Sequence, residues 1–213
     1  MDEAFRATVL EVLTLYTRPL DDDEQVWSLD EKTSLQPRTR SAPNRPARPG
    51  GLPLRVEHEY DRKGATHLLA AMDTRSGRVM GLLRPRKRQL EFIELLEALD
   101  AQASDKVTAI HLVCDNVQMH KGKLIRAWLA RHPRFRMHFT PVHCSWMNQV
   151  EQWFSILQRK RLTAPNFEDL HVLKERVLAF IDEWNFRAHP FNWTVDSFDK
   201  VLARIDLPTP AAA

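Results

Sequence analysis

Three carboxylates in this chain are set where chemistry could be done. The apolar segment Gln25-Val26-Trp27-Ser28-Leu29 runs into Asp30, and Ala109-Ile110-His111-Leu112-Val113-Cys114 runs into Asp115. Glu151 follows in Ser145-Trp146-Met147-Asn148-Gln149-Val150-Glu151. Aspartates ending two neighbouring parallel strands stand side by side. Such a pair repels unless one group keeps its proton or a cation intervenes. Hard oxygen ligands suit Mg²⁺ or Mn²⁺. Two such ions about 3.5–4 Å apart activate water and stabilise the leaving oxygen of an in-line displacement. A plainer reading competes with this one. Aspartate often ends strands because it favours turns and helix caps. On that reading Asp115 caps the next helix and Glu151 is a surface charge.

The elements that must position these groups can be read from periodicity. Residues 109–114 are apolar on both faces apart from His111, as in a central buried strand. The residue after such a strand opens into the crevice beyond the strand ends. Met147, Val150, Phe154 and Leu157 form a packing seam on a helix over 146–160. Glu151 lies at the edge of that seam, where a half-buried carboxylate needs a partner. Earlier in the chain, an amphipathic helix is predicted over 3–17, followed by the acidic loop Asp21-Asp22-Asp23-Glu24 and a strand ending at Asp30. Strands over 65–72 and 78–83 form a hairpin through Asp73-Thr74-Arg75-Ser76-Gly77. Helices are predicted over 89–102, 121–131, 167–185 and 195–204, with a strand over 135–139. The order predicts an α/β fold, a mixed sheet flanked by helices.

Composition narrows the class. Charged residues make up 28% of the 213, yet the net charge is only +3. A basic surface must therefore come from clustering. One cluster is Arg84-Pro85-Arg86-Lys87-Arg88. Another is the segment 37–55, with five prolines, two glycines and five arginines, Arg38, Arg40, Arg45 and Arg48 among them. It reads as a cationic arm without regular structure over most of its length. No apolar run approaches the roughly 20 residues that span a bilayer, and the acidic N-terminus lacks a signal-peptide pattern. A cytoplasmic location is expected, with no membrane partner. Cys114 and Cys144 read as reduced thiols, since His111-x-x-Cys114 with His143-Cys144 matches no common zinc spacing.

These residues resemble a known family, the DDE transposases of the retroviral-integrase superfamily, in the bacterial insertion-sequence branch related to mariner elements. Trp27-Ser28-Leu29-Asp30-Glu31-Lys32 is similar to the first-aspartate block. Leu112-Val113-Cys114-Asp115-Asn116 with His120-Lys121 is similar to the second. Phe139-Thr140-Pro141 and Ser145 to Phe154 resemble the glutamate block. Gly64-Ala65-Thr66 and Pro190-Phe191-Asn192-Trp193-Thr194 add to the likeness. The resemblance implies a ribonuclease H-like fold with a central mixed five-stranded sheet. It implies Asp30, Asp115 and Glu151 as catalytic metal ligands for Mg²⁺, with Mn²⁺ as substitute and two ions in the site. It also implies double-stranded DNA as partner, cut at element ends and joined to target DNA through a freed 3′-hydroxyl. A homodimer, or pairing with a full-length relative, is expected at paired ends, and association with the nucleoid when DNA is bound.

Beside the three ligands, Asn116, His120 and Asn148 are supporting candidates. His120 either approaches the scissile phosphate or caps its helix. Asn148 and Ser145 organise the start of the glutamate helix. Lys121, the arm arginines and Arg86, Lys87 and Arg88 are expected to contact phosphates. Trp146 and Trp153 read as packing residues, with base stacking as the alternative. Glu31 should face away from the metals. The expected organisation is a connector helix at 1–20, the catalytic domain at 21–190 with the arm inserted, and a C-terminal helix and tail at 191–213. Relatives of this kind place helix-turn-helix domains before the catalytic domain, and only the helix at 3–17 precedes the first strand here. A transposase catalytic domain without its site-specific reader is therefore expected. An inactive remnant that binds DNA or a full-length relative, and a stand-alone metal-dependent nuclease of the same fold, are the alternatives.

Overall fold

The computed structural model describes residues 3–40, 60–141, 144–163 and 167–193, with the backbone alone for 38–40 and 60–62. Five strands form its main sheet: β1 (Glu24–Leu35), β4 (Thr66–Asp73), β5 (Val79–Arg84), β6 (Ala109–Cys114) and β7 (Phe135–Phe139). They lie in the order β5-β4-β1-β6-β7. The β4–β5 hairpin is antiparallel, and β4 pairs antiparallel with β1. β6 runs parallel to β1, and β7 parallel to β6. The mixed five-stranded sheet is thus as expected. Two short strands, β2 (Arg38–Arg40) and β3 (Tyr60–Arg62), pair with each other outside it.

Strand alternation divides the core into two layers. Trp27 and Leu29 of β1 and Ile110, Leu112 and Cys114 of β6 face α2 (Gln89–Gln102) and α3 (Lys123–Leu129), packing on Phe92, Leu95, Leu96, Ile125 and Trp128. On the other face, Leu68, Ala70 and Met72 of β4 meet α4 (Gln149–Leu157) and α5 (Leu170–Phe186) through Val150, Trp153, Phe154, Val177 and Phe180. The helix α1 (Glu3–Thr17) covers Val26 and Val113 on that second face, with Val9, Val12, Leu13 and Tyr16 buried. His111, the polar exception on β6, points under α1. Its Nδ1 lies 2.9 Å from His138 Nε2, and His138 Nδ1 lies 2.5 Å from Glu11 of α1.

Several boundaries differ from the sequence reading. β1 does not end at Asp30 but continues to Leu35, because β4 goes on pairing with it from Asp30↔Ala70 to Leu35↔Thr66. Glu24 is not part of a solvated acidic loop. It opens β1 and holds Arg18 with contacts of 2.7 and 3.0 Å, and the hydrogen-bonding guanidinium drops its carboxyl pKa to about 2. Residues 38–40 of the proposed arm are in a strand, while Arg45 and Arg48 lie outside the described residues, as does the helix expected over 195–204. The helix expected over 121–131 is a 3₁₀ turn, Gln118–Lys121, followed by α3. The helix expected over 146–160 consists of a 3₁₀ turn, Ser145–Met147, then α4, then a π-type turn, Gln158–Leu162. Cys114 and Cys144 are both buried and unbridged. Among the described residues no helix is long and apolar enough to cross a membrane.

Candidate active site

The site opens where two ladders stop together. The parallel pairing of β1 with β6 ends at Ser28↔Val113. β6 itself ends at Cys114, and Asp115 is the next residue. β1 continues, held only by β4 on its other side. Beyond Ser28, therefore, one edge of β1 faces a crevice, and Asp30 stands on that free stretch. Asp115 is not a helix cap: Val117 takes the cap position of the following turn, with no side-chain cap bond.

The helix bearing Glu151 is fixed to β1 by buried polar groups. The Ser28 hydroxyl accepts a hydrogen bond from the Val150 N–H at 2.9 Å, serving one of the orphan donors at the start of α4. The same hydroxyl donates to Asn148 Oδ1. Asn148 Nδ2 donates to the Leu29 carbonyl at 2.8 Å and to Asp30 Oδ2 at 3.1 Å. Asn148 occupies the cap position of α4, but its side chain does not cap that helix. It ties the helix to the first aspartate instead. Glu151 follows one residue after Val150. Asp30, Asp115 and Glu151 then line one cavity of about 790 Å³, together with Glu31, Lys87 and Arg88.

Electrostatics mark this cavity as short of positive charge. Burial is the main reason that the Asp30 pKa is pushed up to about 8, and the nearby charges of Glu151, Asp115 and Glu31 add to it. The Glu31 N–H, donating to Asp30 Oδ1 at 2.7 Å, opposes the shift. His120 is buried between two of the acids. Its Nε2 is 2.9 Å from Glu31 Oε1 and its Nδ1 is 3.0 Å from Asp115 Oδ1. Burial alone favours the neutral ring, but Asp115, Cys114 and Glu31 outweigh it and push the pKa up to about 12. His120 is thus a buried cation that joins Glu31 to Asp115. It neither caps a helix nor stands free for a phosphate.

Two of the three carboxylates are short of hydrogen-bond donors. Asp115 Oδ1 is buried, and His120 Nδ1 lies 3.0 Å from it without the alignment of a hydrogen bond. Glu151, in the first turn of α4, makes no side-chain hydrogen bond or ion pair among the described residues. Among the described residues, no three or more His, Cys, Asp or Glu side chains are gathered as a set that could hold a metal ion. An open-sided carboxylate set is what Mg²⁺ accepts, since it keeps waters and phosphate oxygens in its shell.

The remaining candidates divide. Lys87 and Arg88 line the cavity, although Arg88 is paired with Glu91 at 2.6 Å. Arg86 is exposed beside them. Asn116 is exposed and does not line the cavity. Lys121 lies over the Phe139 ring, 4.5 Å from its centroid. Arg38 and Arg40 belong to β2, in the separate two-stranded sheet, and do not line the cavity. Glu31 points to the opposite sheet face from Asp30, as strand alternation requires, yet it lines the same cavity through the gap left by β6. Trp153 is fully buried, whereas Trp146 is exposed. Sequence reasoning missed Ser28, whose signal was one polar residue inside an apolar strand. It also missed Lys32, two residues beyond Asp30, whose pKa is lowered by burial, with the nearby charge of Glu151 opposing that shift.

A family model for the DDE superfamily endonucleases matches residues 25–174, and the chain belongs to that family. The insertion element IS630 uncharacterized 39 kDa protein of Shigella sonnei is 32% identical over 91 residues, 43% of this chain and 26% of that protein. The match therefore spans about a quarter of the relative's length. Among solved structures, the Mos1 strand transfer complex aligns with a TM-score of 0.62 at 14% identity, over 86% of this chain and 53% of that one. The Mos1 transposase paired-end complex with the left transposon end gives 0.60 at 14% identity, over 89% and 56%. The shared architecture is the ribonuclease H-like fold.

Proposed function

We propose that this chain is a transposase catalytic domain that cuts DNA strands and joins a freed 3′-hydroxyl to target DNA, using divalent metal. One observation carries the reading: Asp30, Asp115 and Glu151, from two parallel strands and a helix, converge on one cavity that is short of positive charge. These three would hold Mg²⁺, or Mn²⁺ in its place, with two ions in the site. When bound, the metal supplies Lewis-acid stabilisation of the phosphodiester oxygens and makes water acidic enough to attack. Asn148 orients Asp30, and His120 holds Asp115 against Glu31. Lys87 meets the phosphate backbone at the rim. The substrate is double-stranded DNA, both element ends and target, as the Mos1 complexes support. Two copies, or one copy with a longer relative, would bring two ends together. Residues 21–190 form the catalytic unit in this reading, with 1–20 as its connector.

The test is nicking of a duplex that carries the terminal repeats flanking the gene, in Mn²⁺. Wild-type chain should nick it, and Asp115→Ala should lose about a hundredfold or more of the rate, as the loss of a direct ligand exceeds that of a supporting residue. Full nicking by Asp115→Ala would falsify the three-carboxylate mechanism. Binding without nicking by the wild type would favour the remnant.

A further inference from the structure

The three carboxylates lie at Asp30 and beyond, yet one buried polar atom reaches the framework of their cavity from α1. The inner seam of that helix is Val9, Val12, Leu13 and Tyr16, at helical spacing. Three of the four are aliphatic. The fourth carries a hydroxyl into the core, and a buried phenol needs a partner. Tyr16 is buried, and its hydroxyl donates to the Met147 carbonyl at 3.0 Å. The Gln149 N–H and the Ser28 hydroxyl lie beside the same phenol oxygen. Burial pushes the Tyr16 pKa up against the opposing effects of those two groups, so the phenol stays a neutral donor.

These partners are the residues on which the site is built. Met147 ends the 3₁₀ turn before α4, and its carbonyl adjoins Asn148, which holds Asp30. Gln149 opens α4, whose first N–H groups have no helical partner. Ser28 serves the Val150 N–H, and Glu151 follows. One hydroxyl from α1 thus meets the strand of the first aspartate and the start of the glutamate helix together.

α1 is itself fixed closely enough to place that hydroxyl. Arg75, in the turn between β4 and β5, donates to the Leu15 and Tyr16 carbonyls at 3.0 Å each and to the Arg18 carbonyl at 2.6 Å. It serves carbonyls left open at the end of α1. The Tyr16 ring rests against Trp193, with centroids 5.4 Å apart. Further up the helix, Glu11 lies 2.5 Å from His138 of β7. Backbone, ring and helix face are each held by a different part of the chain.

We propose that Tyr16 is a positioning residue for DNA cutting: its hydroxyl holds the start of α4 against β1 and so sets Glu151 relative to Asp30. This rests on the reading of the chain as a metal-dependent DNA-cutting domain, and it makes α1 a support of the site as well as a connector. Tyr16 does not line the cavity, so its effect passes through Met147 and Gln149.

The experiment uses the full chain and compares Tyr16→Phe, which removes only the hydroxyl, with Val12→Ala, which thins the same seam and leaves the hydroxyl. Mn²⁺ affinity is measured by titration calorimetry, and duplex affinity in Ca²⁺. The nicking rate is taken at saturating terminal-repeat duplex, below the unfolding transition of each variant. Tyr16→Phe should weaken Mn²⁺ binding about tenfold, the lower end of the loss for a group that orients a metal ligand. Nicking should slow by a similar factor, duplex affinity should stay as in the wild type, and amide exchange at Gln149, Val150 and Glu151 should quicken. Val12→Ala should lower the melting temperature while keeping wild-type Mn²⁺ affinity and rate. If Tyr16→Phe keeps wild-type Mn²⁺ affinity and rate, or if Val12→Ala loses as much of both, the positioning role is refuted while the nicking reading stands. If the wild type neither binds Mn²⁺ nor nicks, both are refuted.

Discussion

Asp30 shows how much the fold spends electrostatically to assemble this site. Its acid form is favoured mainly by burial, with Glu151, Asp115 and Glu31 adding to that, so its pKa stands near 8 in the folded chain. An unfolded aspartate has a value of about 3.9. Between these values the folded state binds a proton that the unfolded state has released, so stability falls as pH rises through that window. His120 is raised too, and its contribution is lost only as pH climbs from about 6.5 toward 12. Below about pH 6.5 the imidazole is charged in both states, so Asp30 can be isolated there. In a chelator, the melting temperature should fall between about pH 4 and 6 by more in the wild type than in Asp30→Asn. On the proposed function Mn²⁺ would take the place of the proton and should raise the wild-type melting temperature, more at pH 8 than at pH 5. Thermal scans over pH with and without Mn²⁺ check this. An unchanged slope in Asp30→Asn, or no effect of Mn²⁺, would remove the carboxylates' shared charge as the reason for the shift.

At the scale of elements, the junction of β1 with α4 turns two separate pieces into one site. Ser28 contributes the hydroxyl that satisfies the Val150 N–H and meets Asn148, and all three groups are buried. Ser28→Ala leaves a buried N–H and a buried amide oxygen without partners, at a cost of about 1–3 kcal/mol. It should also slow nicking, because Glu151 is placed by the same first turn. Denaturant unfolding and the nicking rate measure the two effects. A variant as stable as wild type would mean that the hydroxyl is dispensable to the junction. Sequence reasoning found the pieces but not this link. β6 is legible because it is apolar on both faces, and α4 because Met147, Val150, Phe154 and Leu157 recur at helical spacing. Asn148 reads locally as a cap for the helix that it precedes. The actual cap comes from Ser28, far away in the chain, and only the assembled sheet brings it there. The end of β1 was misread for a related reason. Aspartate looks like a terminator, but the pairing with β4 overrides that preference and leaves Asp30 inside a strand with one free edge. Glu31 was expected to face away from the metals. The pleat does turn it to the other face, but the early end of β6 lets the cavity reach it, and His120 couples it to Asp115.

For the molecule as a whole, the proposed function raises the question of how a chain with a net charge of only +3 would hold a polyanion over a pocket lined by four acids. Asp30, Glu31, Asp115 and Glu151 repel phosphate until cations screen them, so binding must lean on metal and on the few basic groups at the rim. Of the two cavity-lining cations, Arg88 is already committed. It pairs with Glu91, whose carboxylate in turn accepts from the Arg88 N–H at the start of α2. Lys87 has no such partner among the described residues and is exposed. Lys87 should therefore act on DNA alone, while Arg88 also serves the fold. Each phosphate neutralised releases counterions and adds about 0.9 to the slope of log affinity against log salt. Lys87→Ala should weaken duplex binding similarly for all sequences, reduce that slope by about one, and leave the melting temperature unchanged. Arg88→Ala should lower the melting temperature as well, because it removes the partner of Glu91 at the helix start. Binding measured from 50 to 200 mM salt in Ca²⁺, alongside thermal unfolding, separates the two. An unchanged affinity and slope for Lys87→Ala would show that DNA does not enter over this rim, and the path of the strand would then have to approach the carboxylates from the side of the Ser145–Met147 turn.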